Sequence, residues 1–334
     1  MAGYQSAVTE TDLRVAVTGP TGTFGFGLMP LLQRDDRIQE VVGIARRPFE
    51  PTDHGWSKMV YRRGDVRDQA ALADAFDGTD VVVHLAFVVV GGDPATTRAV
   101  NIEGTLAAYR AARDAGAARF VYASSVAAYG FHADNPVGMS EDWPVRPADL
   151  LFYAQEKAEL EDLLAAEVAA GGPDLYLLRP PVVLGPHAVG AKAQVPAALQ
   201  PAAGRLLALA RRLPLFAVAP AVALQVIHED DVGSALLQCV VAAGPPGAYN
   251  IAAAEVVTLV DVARELGFLT LPLPERPARA AARLASRLPG LPQPAQWVEA
   301  LSHPAIMDTT KAETQLGWVP QVSALEAIRS SLPR

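Results

Sequence analysis

Short apolar runs alternate with amphipathic stretches through the first half of the chain. Leu13–Val17, Glu40–Ala45, Met59–Arg62, Val81–Leu85, Arg119–Ala123 and Leu175–Leu178 are brief and rich in aliphatic residues, the pattern of buried strands. Between them, apolar positions at helical spacing predict helices over Phe24–Gln33, Gln69–Phe76 and Thr97–Ala115. A further helix over Leu151–Ala170 is stopped by Gly171-Gly172. Unbroken apolar strands, each followed by a helix, predict a parallel sheet covered on both faces, an α/β doubly wound architecture.

After Arg179 the rhythm breaks. Alanine, leucine and many of the 27 prolines crowd this half, and the helices shorten. Residues 1–12 read as a flexible N-terminus, 13–185 as a nucleotide-binding domain, and 186–334 as a smaller, mostly helical substrate-binding part. In that reading a segment at about 225–252 returns to the core, and the proline-rich Leu271–Arg279 forms a surface connector.

Composition narrows the function classes. With 334 residues, 51% of them hydrophobic, the chain can bury one large core or two interleaved ones. A net charge of -8, without a run of Lys or Arg, argues against nucleic acid as a partner. The polar first twelve residues hold no apolar core of a secretory signal. The most apolar later run, Leu213–Ile227, is broken by Pro214 and Pro220 and is shorter than the roughly 20 residues of a membrane span. The single cysteine, Cys239, lies among Leu236, Leu237, Val240 and Val241 and fits a packed thiol in a reducing compartment. A cytoplasmic protein with no membrane partner is expected. Six scattered histidines, with no pair at ligand spacing, point away from a metal site.

Gly19, Gly22 and Gly25 fall between the first strand and the first helix, in Thr18-Gly19-Pro20-Thr21-Gly22-Thr23-Phe24-Gly25. Small residues there let a pyrophosphate approach the backbone, and the helix N-terminus offers free N–H groups and its positive dipole end. That context makes the sheet Rossmann-type; a plain tight turn is the competing reading. Where an NAD site places Asp or Glu at the end of the second strand, this chain has Ala45, Arg46 and Arg47. Loss of the carboxylate removes repulsion with a ribose 2′-phosphate, and a guanidinium can grip that phosphate through a forked pair of hydrogen bonds. NADP is therefore expected over NAD, against the alternative of a solvated arginine pair. Asp65, after the third strand, either meets the adenine edge or only closes a turn. On the Leu151–Ala170 helix, Tyr153 and Lys157 lie one turn apart on one face. A phenol titrates near pH ~10, and a neighbouring ammonium lowers that value where water is excluded.

Together these segments resemble the extended short-chain dehydrogenase/reductase family, also described as the NAD-dependent epimerase/dehydratase family. The resemblance runs from Val15 to about Pro320. It takes in Thr18–Gly25, Gly64-Asp65-Val66, His84-Leu85-Ala86, Val100–Thr105, and Ser124-Ser125 before Tyr129-Gly130. It continues through Tyr153 with Lys157, Leu178-Arg179-Pro180, Ile227–Asp231, Tyr249-Asn250-Ile251 and Leu316–Pro320. The resemblance implies Tyr153 as general acid or base, Lys157 on the nicotinamide ribose and depressing the Tyr153 pKa, and Ser125 bonded to the substrate oxygen. Ser124 is the neighbouring candidate for that contact, or only a cap of the strand end. The cofactor would be held by Gly19, Thr21, Gly22, Thr23, Phe24, Arg46, Arg47, Asp65 and Val66. Leu85, Ala86 and Phe87 would line it, and the backbone of Pro180, Val182 and Val183 would meet the carboxamide. Asn101 stands between a structural hydrogen bond and a chemical role. His228, with Asp230 and Asp231, stands between organising the return of the chain to the sheet and touching substrate. Trp318 and Pro320 read as packing residues.

The chain departs from the family at Leu224. Sugar-nucleotide members usually carry an arginine there, four residues before the histidine, to grip a diphosphate, and the cations in the preceding region are Arg205, Arg211 and Arg212. An apolar pocket follows, suited to a carbonyl or alcohol on a hydrophobic skeleton. The expected function is an NADP(H)-dependent ketoreductase or alcohol dehydrogenase acting on a small molecule. A homodimer paired through the Thr97–Ala115 and Leu151–Ala170 helices is expected with it. The competing functions are a sugar-nucleotide epimerase or dehydratase with bound NAD, and a non-catalytic NADP-binding redox sensor.

Overall fold

Every apolar run of the first half becomes a strand. The computed structural model describes residues 11–89, 93–149, 151–188, 215–273 and 303–332. The first half contains β1 (Leu13–Thr18), α1 (Thr23–Arg34), β2 (Ile38–Ala45), β3 (Met59–Arg63), α2 (Gln69–Phe76) and β4 (Val81–His84). There follow α3 (Pro94–Arg98), α4 (Gly104–Asp114), β5 (Arg119–Ala123), α5 (Phe152–Ala169) and β6 (Asp174–Arg179). The later strands are β7 (Val182–Leu184), β8 (Phe216–Pro220), β9 (Ala223–Leu224), β10 (Val226–His228), β11 (Gly247–Asn250), β12 (Val257–Thr258) and β13 (Leu269–Leu273). The later helices are α6 (Glu229–Val240), α7 (Leu259–Glu265), α8 (Thr310–Gln315) and α9 (Ala324–Ser330).

Seven strands form one sheet in the order β11-β6-β5-β4-β1-β2-β3, with every pair parallel. The winding reverses between β1 and β4, so a crevice opens at the carboxyl ends of those strands, the usual ligand position in such sheets. Alternation along β1 divides the core between two layers. Val15 and Val17 pack with Leu28 and Leu32 of α1 and Leu236 and Val240 of α6, whereas Ala16 joins Phe76, Tyr109, Phe120 and Leu160 on the other face. α1 and α6 touch backbone to backbone: a methyl group on Gly27 would lie 2.0 Å from the Glu229 carbonyl oxygen. Cys239 is buried inside α6, and burial pushes its thiol up, as a packed side chain requires.

One expected helix is interrupted. Between α3 and α4, Ala99–Glu103 forms a π turn rather than a regular helical turn. Val100, Asn101 and Ile102 are all buried in it, and such turns recur at functional sites.

The second half adds three two-stranded pairs: β7 with β10, β9 with β12, and β8 with β13. Leu271–Leu273 therefore belongs to a strand and not to a surface connector, and residues 274–279 lie outside the described residues. Pro220 and Pro272 are tolerated because in a two-stranded pair every strand is an edge. Arg205, Arg211 and Arg212 also lie outside the described residues. Among those that are described, no helix is long and apolar enough to cross a membrane.

Candidate active site

The crevice at the carboxyl ends of β1, β2 and β4 encloses about 440 Å³. The turn from β1 into α1 forms its floor, contributing Gly19, Thr21, Gly22, Thr23 and Phe24. Gly19 has φ +68°, in the left-handed region, and a methyl group there would lie 3.0–3.1 Å from the backbone of Leu85 and Ala86. Glycine lets these two segments close together. Gly22 is the N-cap of α1 and brings no side-chain cap to the start of the helix. These features fit a bound pyrophosphate.

Ala45, Arg46, Arg47, Gly64, Asp65 and Val66 form one end of the cleft. Arg46 and Arg47 are exposed, and among the described residues neither side chain makes a hydrogen bond. Neighbouring arginines are engaged: Arg62 with Asp74, Arg63 through Nε with the Arg46 carbonyl (3.0 Å), and Arg67 with Asp65. Arg67 donates to both Asp65 oxygens, at 2.9 and 2.8 Å, and this pairing holds the carboxyl below its usual range. Asp65 thus lines the cleft and closes its turn at once.

The other end carries Leu85, Ala86, Phe87, Tyr122, Ala123, Tyr153 and Lys157. Tyr153 is half-buried and hydrogen-bonded by Ser125, which also accepts the Ala127 N–H as the cap of the Val126–Tyr129 turn. Burial raises the Tyr153 phenol above its ordinary pKa, and the Ser125 hydrogen bond works against that rise. Lys157 was expected to depress the phenol, but its ammonium faces elsewhere. Nζ donates to Tyr122 Oη (3.0 Å) and the Ala123 carbonyl (2.7 Å), and it lies 3.6 Å from the Phe87 ring centre against 5.8 Å for Tyr153. Burial pushes Lys157 well below its usual value, with Glu161 and Glu156 opposing the shift.

Three buried networks hold this end in place. His84 lies between Thr18 and Thr105, at 2.9 Å from Nδ1 and 3.0 Å from Nε2. The Thr105 hydroxyl donates to the Asn101 carbonyl, so it accepts from Nε2–H, and Nδ1 accepts from Thr18. Thr18 Oγ1 in turn accepts the Leu85 and Ala86 N–H groups. Burial pushes His84 down to about 3, so the ring is neutral. In the second network, Asn101 pairs with both backbone groups of Val88 (2.8 and 3.0 Å) and donates to Glu156 (2.7 Å), tying the cleft wall to α5. In the third, Glu161 accepts from Ser124 and from both arms of Arg179, which also reaches Tyr129; Tyr129 donates to Asn250 (2.8 Å).

Several expected residues sit apart from the cleft. Ser124 is spent on Glu161, because its side chain points back into the sheet–helix interface. Pro180 accepts the Val126 N–H, and Val182 and Val183 form β7 against β10; none of the three lines the cleft. His228 caps α6 by accepting the Asp230 N–H, while Asp231 accepts from Gln321 and Val322. That motif anchors the C-terminal chain. Trp318 packs there too, donating to Asp231 and Ser234. Sequence reasoning missed Tyr122 and Glu161. Their signal is a match of periods: Tyr122 on β5 and Ser124 just past its end, two apart along extended chain, face Lys157 and Glu161, four apart on a helix. Among the described residues no group of three or more His, Cys, Asp or Glu could hold a metal ion.

The model of the NAD dependent epimerase/dehydratase family matches residues 15–252. The uncharacterized protein y4nG of Sinorhizobium fredii is 29% identical over 92% of this chain and 74% of its own length. Sterol demethylase protein B of Methylococcus capsulatus is 33% identical over 51% of each chain, so that match spans about half of either protein. Among solved structures, the Bordetella bronchiseptica enzyme WbmG in complex with NAD and UDP superposes with a TM-score of 0.70. It covers 96% of this chain and 93% of WbmG at 19% identity, a likeness of fold alone. Fold, cleft and family model agree: the chain belongs to the NAD-dependent epimerase/dehydratase family and is an enzyme of the extended short-chain dehydrogenase/reductase type.

Proposed function

We propose that this enzyme is an NADP(H)-dependent oxidoreductase acting on a carbonyl or alcohol of a largely apolar small molecule. The observation that carries the reading is the pairing of two cleft ends: Ser125, Tyr153 and Lys157 at one, and at the other the exposed Arg46 and Arg47, whose side chains make no hydrogen bond among the described residues. The nicotinamide cofactor, when bound, supplies or accepts the hydride. Ser125 holds the substrate oxygen, Tyr153 moves the proton to or from it, and Lys157 orients the ribose. Arg46 and Arg47 distinguish the 2′-phosphate. Leu224 is half-buried among Leu184, Val226 and Val257, an apolar setting in place of a diphosphate grip. We extend the proposal to a substrate-binding part over residues 186–334, a homodimer paired through α4 and α5, and a cytosolic compartment, as the sequence leads one to expect.

The comparisons lean toward a second reading, a sugar-nucleotide epimerase or dehydratase with bound NAD. It is supported by the family model and by the NAD and UDP held in WbmG. Titrating the purified enzyme with NADPH, NADH and UDP-glucose, and following NADPH absorbance with a panel of aryl and cyclic ketones, separates the two. The first reading expects tight NADPH binding and ketone turnover that Tyr153→Phe abolishes with NADPH affinity kept. NAD retained through purification, together with stabilisation by UDP-glucose, would establish the second. A redox sensor is disfavoured because Ser125, Tyr153 and Lys157 are all present.

A further inference from the structure

We propose that Tyr122 is a positioning residue for Lys157, fixing the ammonium so that its remaining N–H is aimed into the cleft. An ammonium has three donors. Two are taken on the protein side, by Tyr122 Oη at 3.0 Å and the Ala123 carbonyl at 2.7 Å. Beyond these two partners, Nζ stands 3.6 Å from the centre of the Phe87 ring in the cleft wall. Lys157 is 3% exposed, so water cannot supply the missing acceptors. The acceptors must be built in, and Tyr122 is the side chain that does so.

The surrounding groups define what that acceptor does. Glu156 and Glu161 face the ammonium from its own helix, Tyr153 lies one turn back, and a neutral His84 stands behind it on β4. Burial keeps the Tyr122 phenol protonated by raising it well above its ordinary value. Tyr122 is therefore a neutral acceptor that supports the charged form of Lys157 without cancelling its charge. The role was invisible in sequence because β5 is buried throughout, which erases the polar–apolar alternation that would mark an inward polar side chain.

The inference rests on the proposed assignment of Lys157 to the cofactor, and one set of variants separates the two. NADPH affinity would be measured by fluorescence titration from neutral to alkaline pH for the parent, Tyr122→Phe, Lys157→Met and the double variant. Tyr122→Phe keeps the ring and deletes only the oxygen. It should weaken NADPH about tenfold, the size of one hydrogen bond to a charged group. It should also move the alkaline fall-off in affinity to lower pH, because the cationic amine has lost an acceptor. In the Lys157→Met background Tyr122→Phe should have no further effect. Unchanged affinity and pH profile in Tyr122→Phe, while Lys157→Met binds weakly, would overturn the positioning role alone. An equal further loss in the Lys157→Met background would overturn it as well. If Lys157→Met binds NADPH normally, the assignment of Lys157 itself fails.

Discussion

The two ends of the cleft both present cations, and they hold them in opposite ways. At the arginine end, the side chains of Arg46 and Arg47 stand in solvent at the cleft edge and make no hydrogen bond among the described residues. At the tyrosine end, Lys157 is buried and enclosed by Tyr122, Ala123 and Phe87, and behind it Arg179 is clamped by Glu161. An exposed guanidinium costs little to hold and can be changed without disturbing the fold. A buried cation needs acceptors at hydrogen-bond distance, and losing one leaves a charge that water cannot reach. The arginine end can therefore select a ligand by charge alone, while the tyrosine end must be built by the fold.

The sharpest way to break this contrast is to remove Glu161. Its side chain and that of Arg179 are each 6% exposed, and the carboxylate also takes the Ser124 hydroxyl. Glu161→Ala would leave the guanidinium buried without its counter-charge, a loss of about 3–5 kcal/mol. Urea denaturation measures it. A cost below about 1 kcal/mol, the size of a surface pair, would mean that the ion pair does not hold the tyrosine end together.

Mild acid, down to pH 5, probes the same end less severely. His84 is neutral in the folded chain, pushed down to about 3 from an ordinary value of 6.5. The unfolded chain therefore binds a proton that the folded chain refuses as pH falls below 6.5. Stability from this residue is intact above that pH and is lost toward pH 3, at about 1.4 kcal/mol per unit. Denaturation at pH 7 and pH 5 should show a decline that His84→Gln reduces. An identical slope in the variant would place the acid sensitivity elsewhere.

The sequence announced the arginine end more completely than the tyrosine end, for a physical reason. A strand–turn–helix with Gly19, Gly22 and Gly25 acts through its own backbone, and Arg46 follows directly from β2. Local spacing carries all of that. Tyr153 and Lys157 were legible for the same reason, being one turn apart. What they touch was not: Ser124 meets Glu161 across 37 residues, and Lys157 meets Tyr122 across 35. The π turn that buries Asn101 leaves no periodic trace either. The six strands of the first half were visible as apolar runs, but the short pairs of the second half were obscured by alanine and proline. The carboxamide contact expected of Pro180, Val182 and Val183 rests on family resemblance alone, and these three are not among the residues that line the cleft of about 440 Å³.

The smallest expected effect sharpens the comparison from the other side. Arg46→Ala removes an exposed side chain that makes no hydrogen bond among the described residues, so folding stability should stay within about 0.5 kcal/mol of the parent. Ligand choice should still change. A forked arginine–phosphate contact is among the stronger charge-assisted pairs, and losing it should weaken NADPH about tenfold, or roughly 1.4 kcal/mol. NADH has no 2′-phosphate and should bind almost as before. Arg47 and Arg63 flank the same edge, Arg63 already bound to the Arg46 carbonyl, so Arg47 is the side chain able to compensate in part. The double variant Arg46→Ala, Arg47→Ala should then lose more NADPH affinity than the single one, again with NADH nearly unchanged. Parallel titrations of both cofactors, with an unfolding curve for each variant, test the prediction. Equal losses for NADPH and NADH would show that these arginines do not read the 2′-phosphate. A fall in stability comparable to that of Glu161→Ala would show that the arginine end, too, is part of the fold's framework.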